Sequence, residues 1–381
     1  MRLASALLCC LSMPAAQAES FAQREDVQAF VSEMETRHGF APGPLLALFH
    51  RTRPVPTAIR LVMPPRDPGI RSWHAYRARF VEPKRIAAGA RFMAAHADTL
   101  ARAESRWGVP REIVAAIIGI ETIYGRHTGG FGTFAALATL AFDYPPRAEL
   151  FRGELEELLL LAREQEKSPL DYKGSYAGAL GVPQFLPSSW RRHGVDFDGD
   201  ARIDLRQSTE DAIGSVANFL AAHGWQAGQP IAERVIIRAG DAATAVALGI
   251  EPRRTVSEWR QAGYEFAQVH APGDGTADVS NVSPGGDLES RPAKVSPGRT
   301  APADLPAALI DLVTPNADTE YRLGYRNFHV ITRYNRSSFY AAAVMDLAAA
   351  LAETARPDQS SASGSSPARA IARRNLLSVS N

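Results

Sequence analysis

The run AAIIGIETIYG at residues 115–125 carries a single acidic side chain, Glu121, in an otherwise apolar stretch. At 3.6 residues per turn, Ile113, Ile117, Ile120 and Tyr124 share one helical face, and Glu121 lies at its margin. A solvated glutamate is expected opposite the apolar stripe, so any fold of this chain has to accommodate a carboxyl beside its core. Spacing leaves two accommodations open. One is a partly exposed carboxylate paired with an arginine such as Arg126. The other is a carboxyl in a semi-apolar cleft, its pKa raised, kept protonated as a general acid.

The chain has 381 residues, 45% hydrophobic and 22% charged, which suffices for a sizeable core. Its first eighteen residues read as an export signal: Arg2, a short apolar stretch, then the small-residue site Ala16–Ala18. Both cysteines, Cys9 and Cys10, fall inside that segment. Leu8 stands where a lipid-anchor site needs a small residue, so a soluble exported protein without disulfides is expected. Loss of Arg2 with the leader takes the formal charge from +1 to 0, which gives no electrostatic case for nucleic acid. No run reaches the ~18 apolar residues that a transmembrane helix requires.

Periodicity predicts a predominantly α-helical α+β chain. Helical patterning covers 25–40, 74–108, the stretch opened by Pro110, 146–167, 210–225 and 337–353, while 64–70 reads as a loop. The segments ERVIIRAG (233–240) and FHVITRYN (328–335) read as strands. Residues 271–305 are rich in Pro, Gly, Ser and Asp and read as a mobile insertion, and the tail 355–381 as disordered. The expected division is a signal at 1–18, a helical region at 19–105, a unit carrying Glu121 at 106–230, a small β-containing region at 231–335 and a closing helix at 336–354.

Five segments occur in order: GIETIYGR, ALATLAFDYPPRAELFRGELEELL, KGSYAGALGVPQFLPSSW, DAIGSVANFLAAHGW and ITRYNRSSFYA. Together they resemble the membrane-bound lytic murein transglycosylase B family across most of 25–353, the insertion excluded. The resemblance implies a goose-lysozyme-like catalytic domain in the periplasm. It also implies cleavage of the β-1,4 bond between N-acetylmuramic acid and N-acetylglucosamine in peptidoglycan, with a 1,6-anhydromuramic end. On this resemblance Glu121 matches the catalytic glutamate, first acid and then base. Ser175 and Gln184 match cleft residues, and Gly174, Ala177, Gly178 and Gly181 would let a saccharide approach the backbone. Tyr334, Asn335 and Tyr340 match polar and aromatic groups of the same cleft. Phe142 and Tyr144, and more loosely Trp73, are candidate aromatic walls. Glu104 is expected on the surface, since intramolecular attack needs no second carboxylate. Implied partners are peptidoglycan strands and proteins of cell-wall synthesis or division.

The segment DFDGDARID places Asp196, Asp198, Asp200 and Asp204 at positions 1, 3, 5 and 9 of an EF-hand-like loop, with the Arg202 carbonyl at 7. Ala201 stands where that loop expects glycine and Gln207 where it expects glutamate. The resembling family takes its last ligand from the next helix, here Asp211, or Glu210 if loop length decides. Any Ca²⁺ bound there is structural, and no cofactor is implied for the chemistry. The alternative is a solvated acidic turn. His127, His193 and His223 show no metal spacing. Two rival functions stand beside the transglycosylase: a muramidase that uses water, and a non-catalytic peptidoglycan-binding protein.

Overall fold

The computed structural model describes residues 20–64, 71–268 and 304–354. The expected leader, most of the 64–70 loop, nearly all of the 271–305 insertion and the 355–381 tail lie outside the described residues.

Helices dominate. Glu25–His38 ends where Gly39 adopts a left-handed φ of 67°, a favoured glycine stop. The 74–108 stretch resolves into three helices, Trp73–Phe80, Pro83–Ala95 and Ala97–Trp107. Pro83 sits in the first turn of the second, where its missing N–H costs nothing. Pro110 caps Arg111–Thr122, and Ser208 caps Thr209–Ala222 by accepting from the Asp211 N–H. Ala148–Glu164 buries Leu155, Leu158 and Leu159, and Ser338–Thr354 closes the described chain.

Arg111–Thr122 is enclosed on every side, with residues 113–120 all buried. The main core runs from Phe21 to Leu351, so the amino-terminal helices, the Glu121 helix and the closing helix share one interior. This arrangement matches the predominantly helical reading.

Strands β1 (Phe131–Gly132) and β2 (Lys173–Gly174) form a two-stranded ribbon. The remaining strands are β3 (Ala232–Ala239), β4 (Arg254–Thr255), β5 (Glu265–Gln268), β6 (Pro306–Leu312) and β7 (Glu320–Gly324). They make an antiparallel sheet in the order β4-β6-β7-β3-β5. On β6, Ala308, Ile310 and Leu312 face the main core, whereas Ala307 and Leu309 face a second cluster around Val256 and Trp259. Burial on both faces explains a strand without polar alternation.

The segment FHVITRYN, expected as a strand, is the helix Arg326–Tyr334. Its Phe-x-Val-x-Thr alternation imitates a strand, but the buried positions 327, 328, 330, 331 and 332 repeat at helical intervals of three and four. Asn327 fixes the register: its Nδ2 donates to the Gln226 and Gln229 carbonyls, and its Oδ1 accepts from the Gln226 N–H. Tertiary contacts override local strand preference here.

A buried ion network joins the sheet to the helices. Arg322 of β7, only 2% exposed, reaches Asp346 Oδ1 at 2.9 Å and Glu320 Oε1 at 2.6 Å. Arg77, from Trp73–Phe80, donates to the other Asp346 oxygen. Burial alone would push the Asp346 carboxyl up, but Arg322 and Arg77 outweigh it and hold it below its ordinary value. Arg322→Leu should therefore lose about 3 kcal/mol in urea unfolding, because it leaves the buried Asp346 carboxylate with Arg77 as its main cationic partner. Adding Asp346→Leu should recover part of that loss.

Candidate active site

Glu121 lies in the last turn of its helix, and the chain then turns abruptly. Ile123, Tyr124 and Gly125 adopt successive left-handed φ values of 52°, 58° and 83°. A β-branched isoleucine in that region costs about 1–2 kcal/mol, and such strain persists only where its surroundings enforce it. Two contacts do so. The Tyr124 hydroxyl lies against Gly89 and Gly119, where an added Cβ would sit 2.2 and 2.5 Å from it. The Thr122 hydroxyl donates to the Val182 carbonyl at 2.9 Å and accepts from the Gly125 N–H at 3.0 Å.

The partner of Glu121 comes from the closing helix. Tyr340, 2% exposed, donates its hydroxyl to Glu121 Oε1 at 2.7 Å. The Tyr334 ring stacks on Tyr340, with centroids 6.3 Å apart and planes 11° off parallel, and its hydroxyl donates to the Pro183 carbonyl. Burial pushes the Glu121 carboxyl up to about 7, although the Tyr340 hydrogen bond acts in the opposite direction. Burial, and then the Glu121 charge, push Tyr334 and Tyr340 well above their ordinary values. Arg126, the arginine considered as its ion-pair partner, is exposed, and among the described residues no ion pair reaches Glu121.

An open cavity of about 510 Å³ is lined by Arg126, His127, Phe131, Ser175, Tyr176 and Gln184. A second cavity of about 210 Å³, sharing Gln184 with the first, is lined by Phe185, Phe219 and Tyr334. Gln184 holds a left-handed φ of 52°, and its Nε2 donates to the carbonyls of Thr128 and Gly181. Ser175 Oγ accepts from the Ala177 and Ala179 N–H groups and shapes its turn. Asn335 is exposed at the end of the Arg326–Tyr334 helix.

Several expected residues lie elsewhere. Phe142 packs among Phe21, Phe30 and Phe49, and Tyr144 is buried against Phe151, so neither ring joins the Glu121 group. Trp73 is 1% exposed and packs on Tyr76 and Phe339. The residue that sequence reasoning missed is Tyr76, three positions further on the same helix. Its phenol is pushed up, first by burial and then by the Glu121 charge. Its SWHAYRARF context carries the signal, a tyrosine three residues after the tryptophan. The small residues of 174–181 also serve the fold: a Cβ on Gly174 would meet the Ala179 carbonyl at 2.1 Å, and one on Gly181 the Leu205 carbonyl at 2.3 Å.

In the acidic loop, Asp196, Asp198 and Asp211 bring carboxylate oxygens within 4.8 Å of one another, a spacing that fits one hard cation. Asp211 is 1% exposed and accepts from the Phe197 and Asp204 N–H groups, whereas Glu210 faces His96 at 3.7 Å. Asp200 accepts from the Arg202 N–H and stays outside the cluster. Ala201 keeps the left-handed φ, 66°, for which such loops use glycine.

A helical fold that holds a glutamate, Glu121, at the end of a buried helix, hydrogen-bonded to Tyr340 and with its carboxyl pushed up by burial, fits a lysozyme-like glycan-cleaving class. The transglycosylase SLT domain matches residues 22–349, and the chain belongs to this family of peptidoglycan lytic transglycosylases. It is 36% identical over 341 residues to the membrane-bound lytic murein transglycosylase B of Escherichia coli (strain K12), covering 87% of this chain and 84% of that protein. The soluble lytic transglycosylase SltB1 of Pseudomonas aeruginosa superimposes with a TM-score of 0.73 at 40% identity, covering 86% of this chain and 99% of that one. Slt35 of Escherichia coli, in complex with calcium, gives a TM-score of 0.70 at 35% identity, covering 88% and 95%.

Glu121 keeps its proton to about pH 7 when folded, against an ordinary 4.5. Between those values the unfolded chain binds fewer protons than the folded one, so stability falls as pH rises through them. Glu121→Gln removes that loss. Its melting temperature should exceed that of the wild type by ~2–5 °C at pH 8, and the gap should narrow at pH 5, as read by calorimetry.

Proposed function

We propose that this chain is an exported, periplasmic lytic transglycosylase that cuts the β-1,4 bond between N-acetylmuramic acid and N-acetylglucosamine and leaves a 1,6-anhydromuramic end. The observation that carries this reading is a glutamate at the end of a buried helix, hydrogen-bonded to Tyr340, which stacks on Tyr334, with burial pushing its carboxyl up to about 7. Protonated Glu121 gives its proton to the glycosidic oxygen as the bond to the muramic C1 breaks. The resulting carboxylate then takes the proton of the muramic 6-hydroxyl, whose oxygen closes on C1. The acid is regenerated and no water is consumed. Ordinary glycosidases divide these tasks between two carboxyls about 5–9.5 Å apart; here the substrate supplies its own nucleophile.

Tyr340 steadies the carboxylate between the two transfers, since a donated hydrogen bond favours the charged form. Tyr334 lines the smaller cavity and offers an aromatic surface to a pyranose sugar, while Tyr76, packed on Trp73, Phe80 and Phe339, acts on Glu121 through its environment. Ser175, Gln184 and Asn335 supply polar contacts along the groove. Asp196, Asp198 and Asp211 would hold a structural Ca²⁺, with Asp200 and the Arg202 carbonyl completing the loop. The ion would fix the segment between Gln184 and the Thr209–Ala222 helix and has no step in the chemistry.

Purified sacculi digested by the wild type should release muropeptides with anhydro ends, identified by mass spectrometry, and Glu121→Gln should lower that release by at least ~10³-fold at unchanged fold. Hydrated reducing ends would instead identify a muramidase. The wild-type kcat/KM should fall as pH rises above about 7. Tyr340→Phe removes the bond that favours the carboxylate, so it should move that alkaline limb upward while lowering kcat. Saturating Ca²⁺, at about 100 times its Kd, should stabilise the protein by about 2.7 kcal/mol, and Asp198→Asn should reduce the gain.

A further inference from the structure

His193 and His223, isolated in the sequence, meet in space, with ring centroids 5.1 Å apart and both near Phe219. They line the smaller cavity with Arg192, Arg333, Gln184 and Tyr334. The titratable and charged side chains of that lining are these two histidines and two arginines, with Tyr334, and it contains no carboxylate. The nearest acid to Arg192 is Glu157, at 3.7 Å from an arginine that is itself well exposed. Arg333 is exposed and has no ion-pair partner among the described residues. His223 commits its Nδ1–H to the Phe219 carbonyl at 2.7 Å, whereas the His193 ring has no hydrogen-bond partner among the described residues. Burial, then His223 and Arg192, push His193 below its ordinary value, so near neutral pH it offers an uncharged N–H beside two guanidinium groups.

Such a concentration of donors in a chain of formal charge +1 is a local anion site. It shares Gln184 with the larger cavity, so a glycan lying in that cavity passes close to it. We infer that the Arg192–His193–Arg333 pocket recognises a carboxylate carried by the glycan, which makes it a specificity site separate from the Glu121 chemistry. This inference rests on the peptidoglycan reading above. In that polymer alternate sugars bear a lactyl carboxyl, either free or extended by a peptide that ends in carboxylates.

The two sources separate in one experiment. Binding to the Glu121→Gln protein, which prevents turnover, is measured by calorimetry for three oligosaccharides: a neutral N-acetylglucosamine tetramer, a glycan tetramer stripped of peptide, and the same tetramer bearing peptides. Arg333→Gln, and separately His193→Gln, in that background should weaken a carboxylate-bearing ligand about tenfold, the effect of one charge-assisted hydrogen bond. Binding of the neutral tetramer should change less than twofold. A loss confined to the peptide-bearing tetramer assigns the pocket to the peptide; a loss on both acidic ligands assigns it to the lactyl carboxylate. Equal weakening of all three ligands, or no weakening of any, overturns the inference. Wild-type turnover of the same tetramers is scored separately. Uncut glycan removes the transglycosylase premise, whereas cut glycan with indifferent variants removes only the carboxylate pocket.

Discussion

The hydrogen bond between Tyr340 and Glu121 ties the closing helix to a helix 219 positions earlier in the chain. A carboxyl beside an apolar helix core loses its water, and the uncharged form becomes the cheaper one. Left entirely without polar partners, that group would stay protonated through the working pH range and could not return as a base. The tyrosine supplies one directed donor, enough to support the anion without abolishing the preference for the acid. Everything that positions the closing helix therefore bears on the state of the carboxyl. The Arg322–Asp346–Arg77 network anchors that helix to the sheet and to the amino-terminal helices.

The turn after Glu121 shows the complementary side of this constraint. Three successive left-handed residues, one of them β-branched, are an expensive way to end a helix. The cost is offset by Tyr124 filling the slot between Gly89 and Gly119, and by Thr122 bridging to the 181–185 turn. That turn carries Gln184, which is also left-handed, and accepts the Tyr334 hydroxyl on Pro183. Strain on both sides of the carboxyl is thus tied into one set of contacts.

Much of this was legible in the sequence because it depends on local pattern. The apolar stripe of 113–124, the Gly39 stop, the Pro110 start and the aspartate spacing of 196–200 each have a short-range cause, and so does the placement of Glu121 at the margin of its stripe. What was not legible depends on distant partners. FHVITRYN has the alternation of a strand and becomes a helix because Asn327 finds the 226–229 turn. Trp73 and Phe142 are good sugar platforms by residue type, yet both rings are taken up by packing, while the Tyr76 phenol is pushed up by burial and then by the Glu121 charge. The meeting of His193 with His223 is likewise a product of tertiary structure.

The central claim is that burial holds Glu121 as a neutral acid at neutral pH. The most direct measurement is the titration of its carboxyl by difference infrared spectroscopy, wild type minus Glu121→Gln. The account predicts a protonated carbonyl band that disappears with a midpoint near pH 7. A midpoint near the ordinary 4.5 would contradict it, because Glu121 would then be an anion throughout the working range and could not deliver the first proton.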